Sequence, residues 1–124
     1  MVTLNTREVG SEGELLASEY LRRKGYVICT RNWTCRYGEL DLITYLKNLL
    51  VFIEVKYVKS PIFCSPVELF TLRKRKNVYR TIQIFLSKYP KFQNTWRFDL
   101  VCITLDAPRL WVEHYKNAFS FNDG

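Results

Sequence analysis

GELDLITYLKNLLVFIEVK, residues 38–56, is the stretch that decides the fold. Two apolar runs, 39–46 and 49–56, flank Lys47-Asn48. Both are rich in Ile, Leu, Val, Phe and Tyr, the residues that suit a pleated, half-buried surface. A two-residue connection between such runs reads as a β-hairpin, here without the glycine of the strongest turn signals. Folding the chain about Lys47-Asn48 sets Leu46 against Leu49, Tyr45 against Leu50, and so outward to Asp41 against Glu54. Directly opposed residues of an antiparallel pair project to the same side, with Cβ atoms about 5 Å apart. Glu54 and Lys56 are two apart and share a face. The second run is apolar on both faces, as a central strand is. A slip of one residue would separate the acids.

Two carboxylates facing each other in a partly buried place repel. They can share a proton, or they can bind a divalent cation that takes hard oxygen ligands. The expected metal ligands are Asp41, Glu54 and the backbone carbonyl of Val55. Lys56 would place a positive charge beside them, able to orient a water or steady charge on a phosphate. Glu14, on the edge of a helical apolar stripe, would complete the ring. The plainer alternative is a cross-strand ion pair, with Lys56 neutralising Glu54 and Asp41 solvated. Against it, these acids interrupt an otherwise apolar strand pair, where a polar group without a task is costly. Glu39 is either a further ligand or an exposed strand-start residue.

Around this hairpin the chain reads α-β-β-β-α-β-β. Residues 11–24 form a helix, with Ser11 as cap, Glu14 three residues on, and Leu16, Ala17, Tyr20 and Leu21 as its apolar stripe. Gly25 stops it. Residues 26–31 form a strand. Residues 67–88 form a long helix with apolar positions Val67, Phe70, Val78, Ile82, Phe85 and Leu86, ended by Pro90. Strands follow at 97–105 and 109–115, joined by a turn at Asp106-Ala107-Pro108. This predicts an α/β domain with a mixed, mainly antiparallel central sheet flanked by helices. At 124 residues the chain suits one domain, with its core over about 10–119.

The formal net charge is +7, from 19 Lys and Arg against 12 Asp and Glu. A basic surface attracts polyanions, nucleic acid foremost. Arg31, Asn32 and Arg36 sit near the loop leading to Asp41 and could grip phosphates. Trp33 and Tyr37 interleave with them, one expected in the core and the other free to stack on a base. Arg73, Lys74, Arg75 and Lys76 crowd the start of the long helix. Lys74 lies on its apolar side, where it either snorkels or faces the site. His114 reads as the surface end of a strand. The four cysteines form no CxxC pair, which argues against structural zinc, and Cys29 and Cys102 read as small buried residues. No signal-peptide core and no run of about 18 apolar residues is present, so a reduced, cytoplasmic protein without a membrane partner is expected.

The pattern Asp41, then Glu54-x-Lys56, resembles the PD-(D/E)xK nuclease signature. Around it stand Gly10-x-x-Gly13-Glu14-x-x-Ala17, Arg31-Asn32-Trp33, Gly38-Glu39-Leu40-Asp41-Leu42-Ile43 and Phe52-Ile53-Glu54-Val55-Lys56. Lys74, Arg97-Phe98-Asp99 and Asn117-Ala118-Phe119 follow in that order. Together they resemble the YraN-like family over nearly the whole chain. The resemblance implies a restriction-endonuclease-like fold related to Holliday junction resolvases. It implies a Mg²⁺ or Mn²⁺ site at Asp41 and Glu54, Lys56 as catalytic lysine and Glu14 as the helix acid. DNA, branched or junction DNA included, would be the substrate. Junction enzymes of this fold work as dimers, so a homodimer is an open expectation. Leu40 stands where the wider signature has proline. The arginine common after Glu-x-Lys is absent at 57 and 58, so either Lys59 takes its phosphate contact or that contact is missing. A non-catalytic nucleic-acid-binding adaptor on the same fold is the alternative.

Overall fold

In the computed structural model of the chain the described residues are 6–59 and 71–119, with side chains described from Glu12 onward. Helix α1 spans Thr6–Arg23 and is followed by strands β1 (Val27–Cys35), β2 (Gly38–Leu46) and β3 (Leu49–Val58). Helix α2 (Leu72–Lys88), a 3₁₀ turn at Pro90–Phe92, β4 (Trp96–Asp106) and β5 (Arg109–Tyr115) complete the described chain. The five strands lie in sequence order in one sheet. β3 and β4 run parallel, and every other neighbouring pair is antiparallel. A parallel pair cannot be joined by a tight hairpin; here α2 lies between its strands in sequence. The α-β-β-β-α-β-β order and the mixed, mainly antiparallel sheet are those read from the sequence.

The hairpin register is also as read. Leu46 pairs with Leu49, Tyr45 with Leu50, Thr44 with Val51, Ile43 with Phe52 and Leu42 with Ile53. Lys47 takes φ +56°, the left-handed geometry a two-residue hairpin turn requires. β3 is the middle strand and is buried on both faces through Leu50, Val51, Phe52 and Ile53. On one face Ile43, Phe52 and Phe98 pack against Val78, Ile82, Phe85 and Leu86 of α2. On the other, Leu42, Val51, Ile53, Val101 and Ile103 pack against Ala17 and Leu21 of α1.

Several boundaries differ from the sequence reading. α1 begins at Thr6, so Ser11 lies inside it and is not its cap. Its C-terminus is as expected: Gly25 has φ +94°, and the Tyr26 and Gly25 amides donate to the Leu21 and Arg22 carbonyls, a Schellman closure. β1 runs past its expected end at Arg31 to Cys35, so Asn32 is a strand residue too; only Arg36 and Tyr37 form the connection to β2. The extension has a physical basis: Trp33 packs edge-to-face on Phe85 at 5.3 Å and anchors β1 to the α2 face. Trp33 is thus the core aromatic, while Tyr37 lies between Arg36 and Arg80. α2 starts at Leu72, where Thr71 accepts the Lys74 amide. Val67 and Phe70, assigned to that helix, lie outside the described residues. Cys29 is exposed rather than buried, because it sits at an irregularity of the edge strand β1; Cys102 is half-buried. No helix among the described residues is long and apolar enough to cross a membrane.

His114 corrects the sequence reading most sharply. Its side chain is 7% exposed, and Nε2 lies 2.8 Å from Asp99 Oδ2. Asp99 is fully buried. Arg97 donates to both its oxygens at 2.8 Å, and the Asn117 amide donates to Oδ1 at 2.9 Å. Arg97 also donates to the Tyr26 hydroxyl, and His114 Nδ1 lies 3.1 Å from the Tyr20 hydroxyl. The chain tyrosine–histidine–aspartate–arginine–tyrosine ties α1, the start of β1, β4 and β5 together under α1. A buried carboxylate is tolerated only when its lone pairs are filled, and these are.

Candidate active site

Beyond Leu42–Ile53 the β2–β3 ladder ends. β3 continues beside β4 to Val58, and β2 continues beside β1 to its Cys35–Gly38 end. The two strands diverge a single residue before the acids. Leu40 and Ile43 pack on the α2 side and Leu42 on the α1 side. Strict alternation therefore breaks between Leu40 and Leu42, and Asp41 stands at the break. Its Oδ2 accepts the Val55 amide at 2.9 Å, replacing the backbone partner that β2 would have offered. The N–H and C=O of one strand residue point to the same edge, so the Val55 carbonyl faces the same gap.

Glu54 sits beside Asp41 at this opening, and the two interact directly. Lys56 Nζ lies 3.3 Å from Glu54 Oε1, both side chains largely covered. Burial, and then the charge of Glu54, push the Asp41 carboxyl up to about 8, although the Val55 amide draws it down. The three residues expected to form the heart of the site are together.

Glu14 arrives from α1. It is half-buried, and its carboxyl is raised by burial, with Asp41 and Glu39 adding to the rise while an Asn32 hydrogen bond and Arg31 oppose it. Asn32 has φ +54°, and its neighbours Arg31 and Trp33 pair with Leu42 and Leu40, which puts Asn32 across from Asp41. The sequence makes Asn32 a candidate phosphate contact. The structure makes it the partner of Glu14, held at the break in the strand. Glu39 is exposed but close enough to act on both Asp41 and Glu14.

α1 can approach because residue 13 is glycine. A Cβ there would stand 2.7 Å from the Tyr57 Cβ. Gly13→Ala should therefore push α1 off β3 and cost about 1–3 kcal/mol of stability. Urea unfolding of the variant checks this; an unchanged midpoint would show that the helix can shift without loss. Lys59, the candidate replacement for the missing arginine, reaches back to Glu12 at 3.5 Å. It lies 5.9 Å over the Tyr57 ring. Arg31, Arg36, Arg73 and Lys74 are exposed, and Arg36 is bonded to the Tyr37 hydroxyl at 2.8 Å.

The donor set suits a hard cation. Mg²⁺ keeps several waters and takes one or two carboxylates. Asp41, Glu54 and the Val55 carbonyl match that need, and a cation between the acids would relieve the repulsion that, after burial, keeps the Asp41 carboxyl raised.

Residues 13–103, most of the chain and all four of these side chains, match the family model described as Uncharacterised protein family UPF0102. The chain belongs to the UPF0102 family. A UPF0102 protein of Syntrophomonas wolfei is 42% identical over 113 residues, covering 91% of this chain and 98% of the relative. One from Clostridium botulinum (strain Loch Maree / Type A3) is 39% identical over 118 residues, covering 91% and 94%. UPF0102 membership agrees with the YraN-like resemblance in the sequence and names no reaction.

Proposed function

We propose that this UPF0102 protein is a metal-dependent endonuclease that hydrolyses phosphodiester bonds, with DNA as its substrate. The observation that carries the reading is the convergence of Asp41, Glu54 and Lys56 where β2 and β3 diverge, with Glu14 brought in by α1. Asp41, Glu54 and the Val55 carbonyl would hold Mg²⁺ or Mn²⁺. When bound, such an ion polarises a phosphate oxygen and makes water more acidic. Lys56, fixed by Glu54, would stabilise the charge that grows on the phosphate as the bond breaks. Glu14, with a raised carboxyl pKa, is better suited than an ordinary glutamate to take a proton from a water near neutral pH. The basic surface at Arg31, Arg36, Lys59, Arg73 and Lys74 would hold the backbone, with affinity falling steeply in salt.

The test is a cleavage assay on labelled duplex, single strand, flap, four-way junction and RNA, with Mg²⁺, Mn²⁺ or EDTA. At least one member should be cut only with metal. Lys56→Met should slow that cut about 10²–10³-fold, the scale for loss of one transition-state charge partner, while metal binding persists. No cutting of any member, with tight salt-sensitive binding to one, would favour a nucleic-acid-binding adaptor.

A further inference from the structure

A second concavity lies at the other end of the sheet, between the edge strand β1 and the C-terminal end of α2. It is an open cleft of about 530 Å³, within the roughly 300–1,000 Å³ of small-molecule sites. Five aromatic residues, Trp33, Tyr45, Phe85, Tyr89 and Phe92, line it together with the aliphatic Val27, Ile43 and Leu50, and Lys91 is its one charged lining residue among those described. No Asp or Glu is among the described residues that line it. Trp33 and Phe85 meet edge-to-face at 5.3 Å, and Tyr45 and Phe92 do so at 5.7 Å. Two ammonium groups lie over ring faces: Lys88 Nζ at 5.6 Å from Trp33 and Lys91 Nζ at 4.9 Å from Phe92. Tyr89 remains 49% exposed.

Aromatic walls with cations at the rim suit a ligand that joins a flat apolar body to an anion. An aliphatic chain would use the walls but not their planarity; a bare phosphate would use the lysines and leave the walls wet. An unpaired nucleotide uses both, since every base has a face to stack and a phosphate beside it. The chain's net charge of +7 favours the same partner. We infer that this cleft takes an unstacked base of single-stranded nucleic acid, with Lys88 and Lys91 on its flanking phosphates.

The inference rests on the nuclease reading and narrows its substrate. Tyr45 in the cleft lies four residues along β2 from Asp41, about 13 Å at ~3.3 Å per residue. An unstacked strand spans more per nucleotide than the ~3.4 Å rise of stacked duplex, so about four nucleotides or fewer cover that distance. A strand held in the cleft would thus reach the acids, so the substrate would carry an unpaired segment next to the cut.

The experiment measures binding in EDTA, where cutting plays no role. The probes are a fluorescein-labelled thymidine dodecamer and a labelled duplex of the same length. Tyr89→Ala should weaken the single strand by about tenfold or more, in keeping with ~1–3 kcal/mol per stacked base, and the duplex by less than about twofold. Lys91→Glu, a change at an exposed residue, is the second variant should Tyr89→Ala lower the melting temperature. Equal loss on both probes, or no loss in either variant, overturns the proposal. So does a fluorescent fatty acid that fills the cleft and is not displaced by the dodecamer. Lost single-strand binding in a protein that cuts nothing would keep the cleft and refute the nuclease. Metal-dependent cutting that is indifferent to both variants would do the reverse.

Discussion

Asp41→Asn is expected to abolish metal-dependent cutting while making the metal-free protein more stable at pH 8. The first effect should exceed the 10–100-fold that loss of an outer partner of a metal site costs, because it removes a proposed ligand itself. Asparagine keeps a side-chain oxygen for the Val55 amide, so the local geometry survives. The second effect follows from the raised carboxyl. Asp41 titrates near 8 in the folded chain against an ordinary value of 3.8. Between those values the folded state binds a proton that the unfolded state has released, so stability falls as pH rises. The contribution is whole below about pH 4 and gone above about pH 8. Asparagine never ionises, and its advantage over the wild type should grow across that window, reaching about 1–3 kcal/mol by pH 8 once relaxation of the site is allowed for. Mg²⁺ or Mn²⁺ should reverse the order: it binds the deprotonated pair and stabilises the wild type by mass action. Melting curves of both proteins at pH 5, 6.5 and 8, with metal and with EDTA, test all of this. A wild type whose melting temperature ignores metal at pH 8 would sink the site.

Asp99→Asn should be strongly destabilising. Asp99 is fully buried and accepts from Arg97, His114 and the Asn117 amide. Removing one partner of a buried pair leaves the other charged and unpaired, which costs about 3–5 kcal/mol. That is a large share of the roughly 5–15 kcal/mol that holds a domain together. Burial pushes the Asp99 carboxyl up, but the bonds from His114, Arg97 and Asn117 outweigh it and hold the carboxyl below its ordinary value. The sign is opposite to that of Asp41. This stability is present above about pH 4 and is lost as pH falls through the depressed value. Urea titrations at pH 7 should show the full deficit, and titrations in acid a smaller one. A deficit under about 1 kcal/mol at pH 7 would mean that the network is not what joins α1 to β4 and β5.

The two aspartates also show what is legible in the residues. Asp41, Glu54 and Lys56 can be brought near one another from the sequence because the hairpin is local: a two-residue turn sets the register out to Leu42–Ile53, although the ladder stops just short of the Asp41–Glu54 pair that this register implies. Asp99 carries no such signal. It lies in an apolar run, and its main partners besides Arg97 are His114 and Asn117, 15 and 18 residues away. A lone histidine in a polar-looking strand end reads as surface until β5 is laid against β4. The strand reads as ending at Arg31, with Asn32 beyond it, because the basic and polar run 30–37 hides the apolar anchor, Trp33, whose partner Phe85 is on another element.

The amino-acid sequence by itself determined the order of elements, the central hairpin and its register out to Leu42–Ile53, and the gathering of two acids and a lysine at one end of that hairpin. These rest on short-range periodicity, turn length and the apolar character of β3. Only the tertiary structure decided that β2 and β3 diverge just before the acids and that Asp41 bonds the Val55 amide. It alone showed that Gly13 lets α1 carry the expected Glu14 up to the acids and that Asn32, in its left-handed conformation, lies across from Asp41 as the partner of Glu14. Those features arise where α1, β1 and β3 meet, between residues far apart in the chain. No local pattern encodes them, because the energy that selects them is the packing of whole elements against one another.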